Sequence, residues 1–173
     1  MRRAALLIAL LCACEGKPQP AATAAAAAAA DPAPPYTGRT LDGEPFDLAS
    51  YRGNVVLLNV WATWCEPCKQ EMPELQALHS RHQGAGFTVI GVSADAMRLA
   101  AEVRRLVAQF GLTYPNVHDA RNTVSQTFKV HGYPTSILIG RDGGMRWRRD
   151  GLIEPGDPEL AAALAAALAA PRP

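Results

Sequence analysis

The chain has 173 residues, 49% of them hydrophobic and 19% charged, which supplies the apolar material for one globular domain and too little length for two comfortable ones. A net charge of +1 and a pI near 7.7 exclude bulk electrostatic attraction to nucleic acid, which needs a basic stripe or patch.

Residues 1–13 read as an export signal: Met1-Arg2-Arg3 is a positive n-region, and the apolar run Ala4 to Leu11 is too short to span a bilayer. Leu11-Cys12-Ala13-Cys14 resembles a bacterial lipobox, and by that resemblance Cys14 becomes the acylated terminus that holds the protein to a lipid bilayer. Cys12 in the middle of the box departs from the usual pattern, so cleavage elsewhere by an ordinary signal peptidase stays open. A second redox or metal pair made of Cys12 and Cys14 is disfavoured, because nothing nearby can fold around them. Residues 14–35 are rich in proline and alanine and hold no side chain able to pack a core. They are expected to form a tether, adding about 3 Å per residue where extended. The folded domain is expected over 36–169, with 170–173 as a tail.

Within that domain, Leu41-Asp42-Gly43-Glu44 is a turn between short extended pieces. Val55 to Trp61 is a continuous β-branched and aromatic run suited to a central buried strand. A helix follows from near Cys65 to about His82, with Pro67 in its first turn, Met72, Leu75 and Leu78 on one face, and Pro73 as an expected kink. Gly84 and Gly86 close it, Phe87 to Ser93 forms the next buried strand, and Met97 to Phe110 has helical spacing. Strand, helix, strand, helix in this order implies parallel pairing. Asn122 to Val130 reads as a weaker, shorter helix. Thr135 to Gly140 and Met145 to Arg149 read as an antiparallel hairpin around Arg141-Asp142-Gly143-Gly144. Asp157 caps a last helix that has Pro158 at its first position and Leu160, Leu164 and Leu168 along one side. The expected class is α/β, a mixed central sheet with helices on both faces.

Chemistry concentrates at Trp64-Cys65-Glu66-Pro67-Cys68. Cys65 lies where a buried strand gives way to a helix, so free amides and the positive end of the helix dipole favour its thiolate over its thiol. Cys68, one turn along the same face, is placed to attack a mixed disulfide formed at Cys65. The two alternatives are weaker. Half of a zinc site lacks a second cysteine or close histidine pair downstream, and an inert structural disulfide across so short a loop removes little chain entropy. An oxidising compartment, as the leader implies, suits a pair that cycles between thiol and disulfide.

The run Val55 to Pro73, with its Trp-Cys-Glu-Pro-Cys core, resembles the active-site strand and helix of the thioredoxin superfamily, in particular the membrane-tethered TlpA/ResA-like branch associated with cytochrome c maturation. The similarity extends from about Pro35 to Ala169. Gly132-Tyr133-Pro134-Thr135 matches the loop whose cis-proline faces the redox pair. The resemblance implies a thioredoxin-like fold and disulfide exchange through a Cys65/Cys68 dithiol–disulfide cycle. It also implies a substrate-binding surface that includes Trp64, Glu66, Pro67, Tyr133 and Thr135. Classical thioredoxins carry a buried aspartate where this chain has Asn59, which cannot shuttle a proton. Glu71, which matches a glutamate of the TlpA/ResA branch, is expected to be partly buried, with a raised pKa, and to take the proton of Cys68. Glu66, between the cysteines, is expected to weaken the Cys65 thiolate and pull the couple toward reducing potential.

Trp61 is expected in the core, His79 and His82 on a solvated helix face, and Arg146, Arg148 and Arg149 on an exposed edge-protecting strand around Trp147. No nucleotide fingerprint is present, so no bound cofactor or metal is expected and electrons must come from a partner; the resemblance implies a membrane electron donor of the DsbD/CcdA kind. The expected partners are thiols and disulfides of exported proteins, apocytochrome c among them, on the extracytoplasmic side. Two other readings stand beside this one. A copper chaperone would join the cysteines with His118 or His131, though such proteins usually space their cysteines C-x-x-x-C. A peroxiredoxin-like thiol peroxidase expects a threonine three residues before its cysteine, where this chain has Ala62.

Overall fold

The computed structural model describes residues 30–172. The expected signal sequence, Cys14 and most of the tether lie outside the described residues. The sheet is built on β3 (Val55–Trp61), all seven residues of which are buried. It pairs in parallel with β4 (Phe87–Ser93), which pairs in parallel with β5 (Asn116–His118), and antiparallel with β6 (Thr135–Ile139), which pairs antiparallel with β7 (Met145–Asp150). The order β5-β4-β3-β6-β7 is the expected mixed sheet. A short hairpin of β1 (Thr37–Arg39) and β2 (Pro45–Asp47) lies beside it, with Thr40 bridging Val117 of β5. Gly38 permits that approach, since a Cβ there would stand 2.9 Å from Val117 Cγ1.

Strand alternation divides the core into two layers. Val55, Leu57 and Trp61 face α1 (Glu66–His82), α2 (Ala100–Gln109) and α4 (Pro158–Ala169), meeting Met72, Leu75, Val103, Leu106, Leu160 and Leu164. Val56, Leu58 and Val60 face the other way, onto Tyr36, Phe46, Val124 and Phe128 from the hairpin and the region of α3 (Thr123–Thr127). Helices therefore lie on both faces, three against one. Burying each large aliphatic side chain is worth about 1.5–3 kcal/mol, so β3, buried on both faces, is the best-anchored element. At the end of the sheet away from Cys65, buried Arg141 donates to the carbonyls of Gly53, Ala85 and Leu168. It joins the start of β3, the turn after α1 and the end of α4.

Four expectations change. The 97–110 helix begins only at Ala100, because Ala96 is extended and Met97–Leu99 form a tight 3-10 turn. The helix expected over 122–130 shrinks to Thr123–Thr127, since Asn122 and Lys129 both adopt positive φ, 52° each. β5 was not expected: its three residues carry no periodicity of their own. The domain starts before residue 36. Ala33 N–H donates to the Gly143 carbonyl at 2.9 Å, and Met145 N–H donates to the Asp31 carbonyl at 2.8 Å, so the last expected tether residues pack on the β6–β7 turn. The arginines of β7 do line a sheet edge, each with an acidic partner: Arg146 with Asp142, Arg148 with Asp150, and Arg149 with Asp157 and Glu159. None of the helices among the described residues is long and apolar enough to cross a membrane.

Candidate active site

β3 ends at Trp61 and delivers Ala62-Thr63-Trp64-Cys65 to the C-terminal edge of the sheet, where α1 begins. Cys65 is the N-cap of α1: its backbone is extended, at φ −86° and ψ 105°, and its Sγ accepts from the Cys68 N–H at 3.2 Å. Pro67 sits in the first turn, where a missing N–H removes no helical bond. Cys65 and Cys68 are joined as a disulfide across 5.3 Å between their Cα atoms. Reduction leaves Cys65 Sγ against the Cys68 amide in the first turn of the helix and the positive end of its dipole, which stabilises the thiolate. Glu66 and Pro67 are exposed beside the pair. The Glu66 carboxylate turns to solvent and to the Lys69 ammonium, 3.1 Å away, so its field at Cys65 is screened and its expected pull on the thiolate is weakened.

Glu71 is only 1% exposed, deeper than expected, on the helix face it shares with Cys68. One carboxylate oxygen accepts from Asn59 Nδ2 at 2.6 Å and the other from the Ile153 N–H at 2.9 Å. Burial pushes the Glu71 carboxyl up from 4.5 to about 7, against the lowering effect of those two donors. Burial, with the Glu71 charge as the smaller cause, raises the pKa of Tyr114. Asn59 also donates to Ser136 Oγ at 3.0 Å. The residue that cannot carry a proton therefore holds the residue that can. That role was not legible beforehand, because the signal is a contact between β3, α1 and β6.

Asp95 is a second residue of the site that sequence reasoning missed. It is 1% exposed and accepts from the Thr63 N–H, Thr63 Oγ1 and Ser93 Oγ, each at 2.8 Å. Its backbone carbonyl lies 2.8 Å from His118 Nε2. The carboxylate thus braces the loop that carries Cys65. The only linear hint is a Ser-x-Asp at the end of β4, which does not name its partner.

In the loop that meets Trp64, the Tyr133–Pro134 bond is cis and Pro134 is buried. Tyr133 is half-buried, and Trp64, 68% exposed, meets it edge-on at 5.7 Å between ring centroids. Thr135 requires a correction: it is fully buried, and its hydroxyl is engaged by the Gly132 carbonyl at 2.8 Å and Asp150 Oδ1 at 3.1 Å. It shapes the loop and has no side-chain surface to offer a substrate. His79 is also corrected, since it is buried edge-on against Tyr114, with its pKa lowered by burial, and is not solvated. His82 is half-buried against Phe87. Trp61 is in the core as expected.

The chain is similar to known proteins. ResA thiol-disulfide oxidoreductases of Bacillus thuringiensis and Geobacillus thermodenitrificans are 36% and 35% identical over 111 and 114 residues, or 64% and 66% of this chain. The chain spans 63% and 64% of those relatives' lengths. Among solved structures, a thiol:disulfide interchange protein of the thioredoxin family from Chlorobium tepidum superposes with a TM-score of 0.70 at 28% identity, covering 80% of this chain and 97% of that one. A secreted Mycobacterium tuberculosis disulfide oxidoreductase, homologous to E. coli DsbE, superposes with a TM-score of 0.66 at 25% identity, covering 76% and 95%. The AhpC/TSA family model matches residues 29–148, most of the folded domain together with the cysteine pair and the cis-proline loop, and the chain is a member of that family.

Proposed function

We propose that this chain is an extracytoplasmic thiol–disulfide oxidoreductase that reduces disulfides of exported proteins. The observation that carries the reading is the Cys65–Cys68 disulfide at the first turn of α1 with buried Glu71 on the same helix face. In the reduced protein the Cys65 thiolate attacks one sulfur of a substrate disulfide, forming a mixed disulfide and releasing one substrate thiolate. Cys68 passes its proton to Glu71 and attacks Cys65 Sγ. The mixed disulfide breaks, the Cys65–Cys68 bond forms, and the second substrate sulfur leaves as thiolate and takes up a proton. Two electrons have moved from the protein to the substrate. A membrane electron donor of the DsbD/CcdA kind returns them, and the acylated Cys14 keeps the domain at the bilayer where that donor lies. Apocytochrome c is one substrate that fits this cycle. The names of the ResA relatives and the secreted M. tuberculosis neighbour support the chemistry and the compartment.

Two variants test the cycle. Cys68→Ser should accumulate a covalent adduct with a disulfide peptide, visible by mass spectrometry and released by dithiothreitol, while Cys65→Ser should form none. Adduct formation through Cys68 alone would reverse the roles. The reduction potential should lie well below the value of about −120 mV typical of a strong oxidant.

A further inference from the structure

We propose that a basic cleft beside the cysteine pair receives an acidic segment of the polypeptide whose disulfide is reduced. The inference rests on the oxidoreductase reading and narrows its substrate class.

Trp64 and Met97, each 68% exposed, are the exposed large hydrophobic side chains among the described residues. They stand on one rim. β3 and β4 run parallel with Trp61 opposite Ser93, and Thr63 is bound twice to Asp95 just beyond the strand ends. Trp64 follows Thr63, and Met97 comes two residues after Asp95. The Thr63–Asp95 bonds therefore join the loop that carries Trp64 and Cys65 to the loop that carries Met97.

Beyond Met97 opens a cleft of about 520 Å3, with Arg39, Arg104, Arg121, His118 and Thr123 on its walls. Arg39 and Arg104 donate to the carbonyls of Gly43 and Leu41, which orients their guanidiniums without neutralising them. Among the described residues neither they nor Arg121 makes an ion pair, whereas Arg81, Arg105, Arg146, Arg148 and Arg149 each do. The one carboxylate in the lining, Asp119, already accepts from Tyr36 Oη, Thr123 Oγ1 and the Val124 N–H. Three guanidiniums without an ion-pair partner thus line one hollow that holds a single carboxylate, which leaves an excess of positive charge, and a planar guanidinium pairs best with a carboxylate. The bond between His118 and the Asp95 carbonyl ties the cleft wall to the loop that carries Cys65. An apolar rim at the nucleophile with a cationic hollow beyond it suits a polypeptide whose cysteine is followed or preceded by Asp and Glu.

The test uses the reduced protein and two disulfide peptides of equal length, identical except that one has three glutamates and the other three serines a few residues from the cysteine. At about 20 mM salt, the second-order rate constant of single-turnover reduction should favour the acidic peptide about tenfold, and at about 500 mM the ratio should fall toward one. In Arg39→Ser/Arg121→Ser the low-salt ratio should also approach one, while the matching lysine double variant should keep most of it. Equal rates for the two peptides at low salt, or a preference that survives the serine double variant, would overturn the cleft. Reduction of neither peptide would instead overturn the oxidoreductase reading on which it rests.

Discussion

Replacing Glu71 by glutamine removes a charge and little else. Glu71 holds two donors, Asn59 Nδ2 and the Ile153 N–H. Glutamine keeps one acceptor oxygen for Ile153, and Asn59 can turn its amide so that its own oxygen meets the new Nε2, with the Ser136 hydroxyl rotating to follow. The charge matters more. Burial holds the carboxyl at about 7 in the folded protein against an ordinary 4.5, and at about 1.36 kcal/mol per tenfold change in proton affinity the ionised form costs roughly 3 kcal/mol of stability. Below about pH 4.5 the group is protonated both folded and unfolded, and the cost is absent. Between pH 4.5 and 7 the unfolded chain ionises while the folded chain resists, so stability falls as pH rises, and above about pH 7 the full cost is present. The stability of wild type minus that of Glu71→Gln, from urea unfolding of the oxidised proteins at pH 4.5 to 8, should fall by about 3 kcal/mol across that range. His79, whose pKa is lowered by burial, contributes with the opposite sign but is common to both proteins and cancels. Parallel pH profiles would refute the argument. In turnover, Glu71→Gln should slow release of the mixed disulfide by at least about tenfold, out of the 10²–10⁴ that a positioned base supplies, and leave the first attack intact.

Two more substitutions probe the supporting residues. Asn59→Ala removes a donor that holds the Glu71 carboxylate, so the midpoint of the same pH profile should move upward and stability should drop by about 1–3 kcal/mol; an unmoved midpoint would show that Ile153 alone positions Glu71. Asp95→Ala leaves the Thr63 N–H and two hydroxyls without their acceptor, at a cost of about 2–4 kcal/mol in thermal or chemical unfolding. Because it frees the loop before Cys65, it should also slow the first attack measured by stopped flow, and a normal rate would show that the brace serves stability alone.

The elements that were legible beforehand are those whose signal is local. β3 and β4 announce themselves as short runs dominated by β-branched and other apolar residues. α1 shows an N-cap cysteine, an early proline and a buried stripe, and α4 shows Asp157, whose carboxylate caps the Glu159 and Leu160 amides as its position suggested. The cysteine pair and the proline loop were visible for the same reason. β5 was not, because three residues become a strand only when β4 offers them a ladder. α3 came out shorter because two left-handed residues bound it, and asparagine and lysine do not announce that conformation in advance.

Sequence alone therefore located the cysteine pair and its place at the start of a helix, since strand, turn and helix signals act over a few neighbouring residues. Tertiary structure decided what surrounds them. Asn59 meets Glu71 across two elements, Asp95 reaches Thr63 from the loop after the neighbouring strand, Thr135 turns inward, and three arginines from separate segments converge on one hollow. Each of those depends on how parallel and antiparallel strands are laid side by side, and a buried carboxylate takes its proton affinity from the atoms packed on it, which no linear spacing specifies.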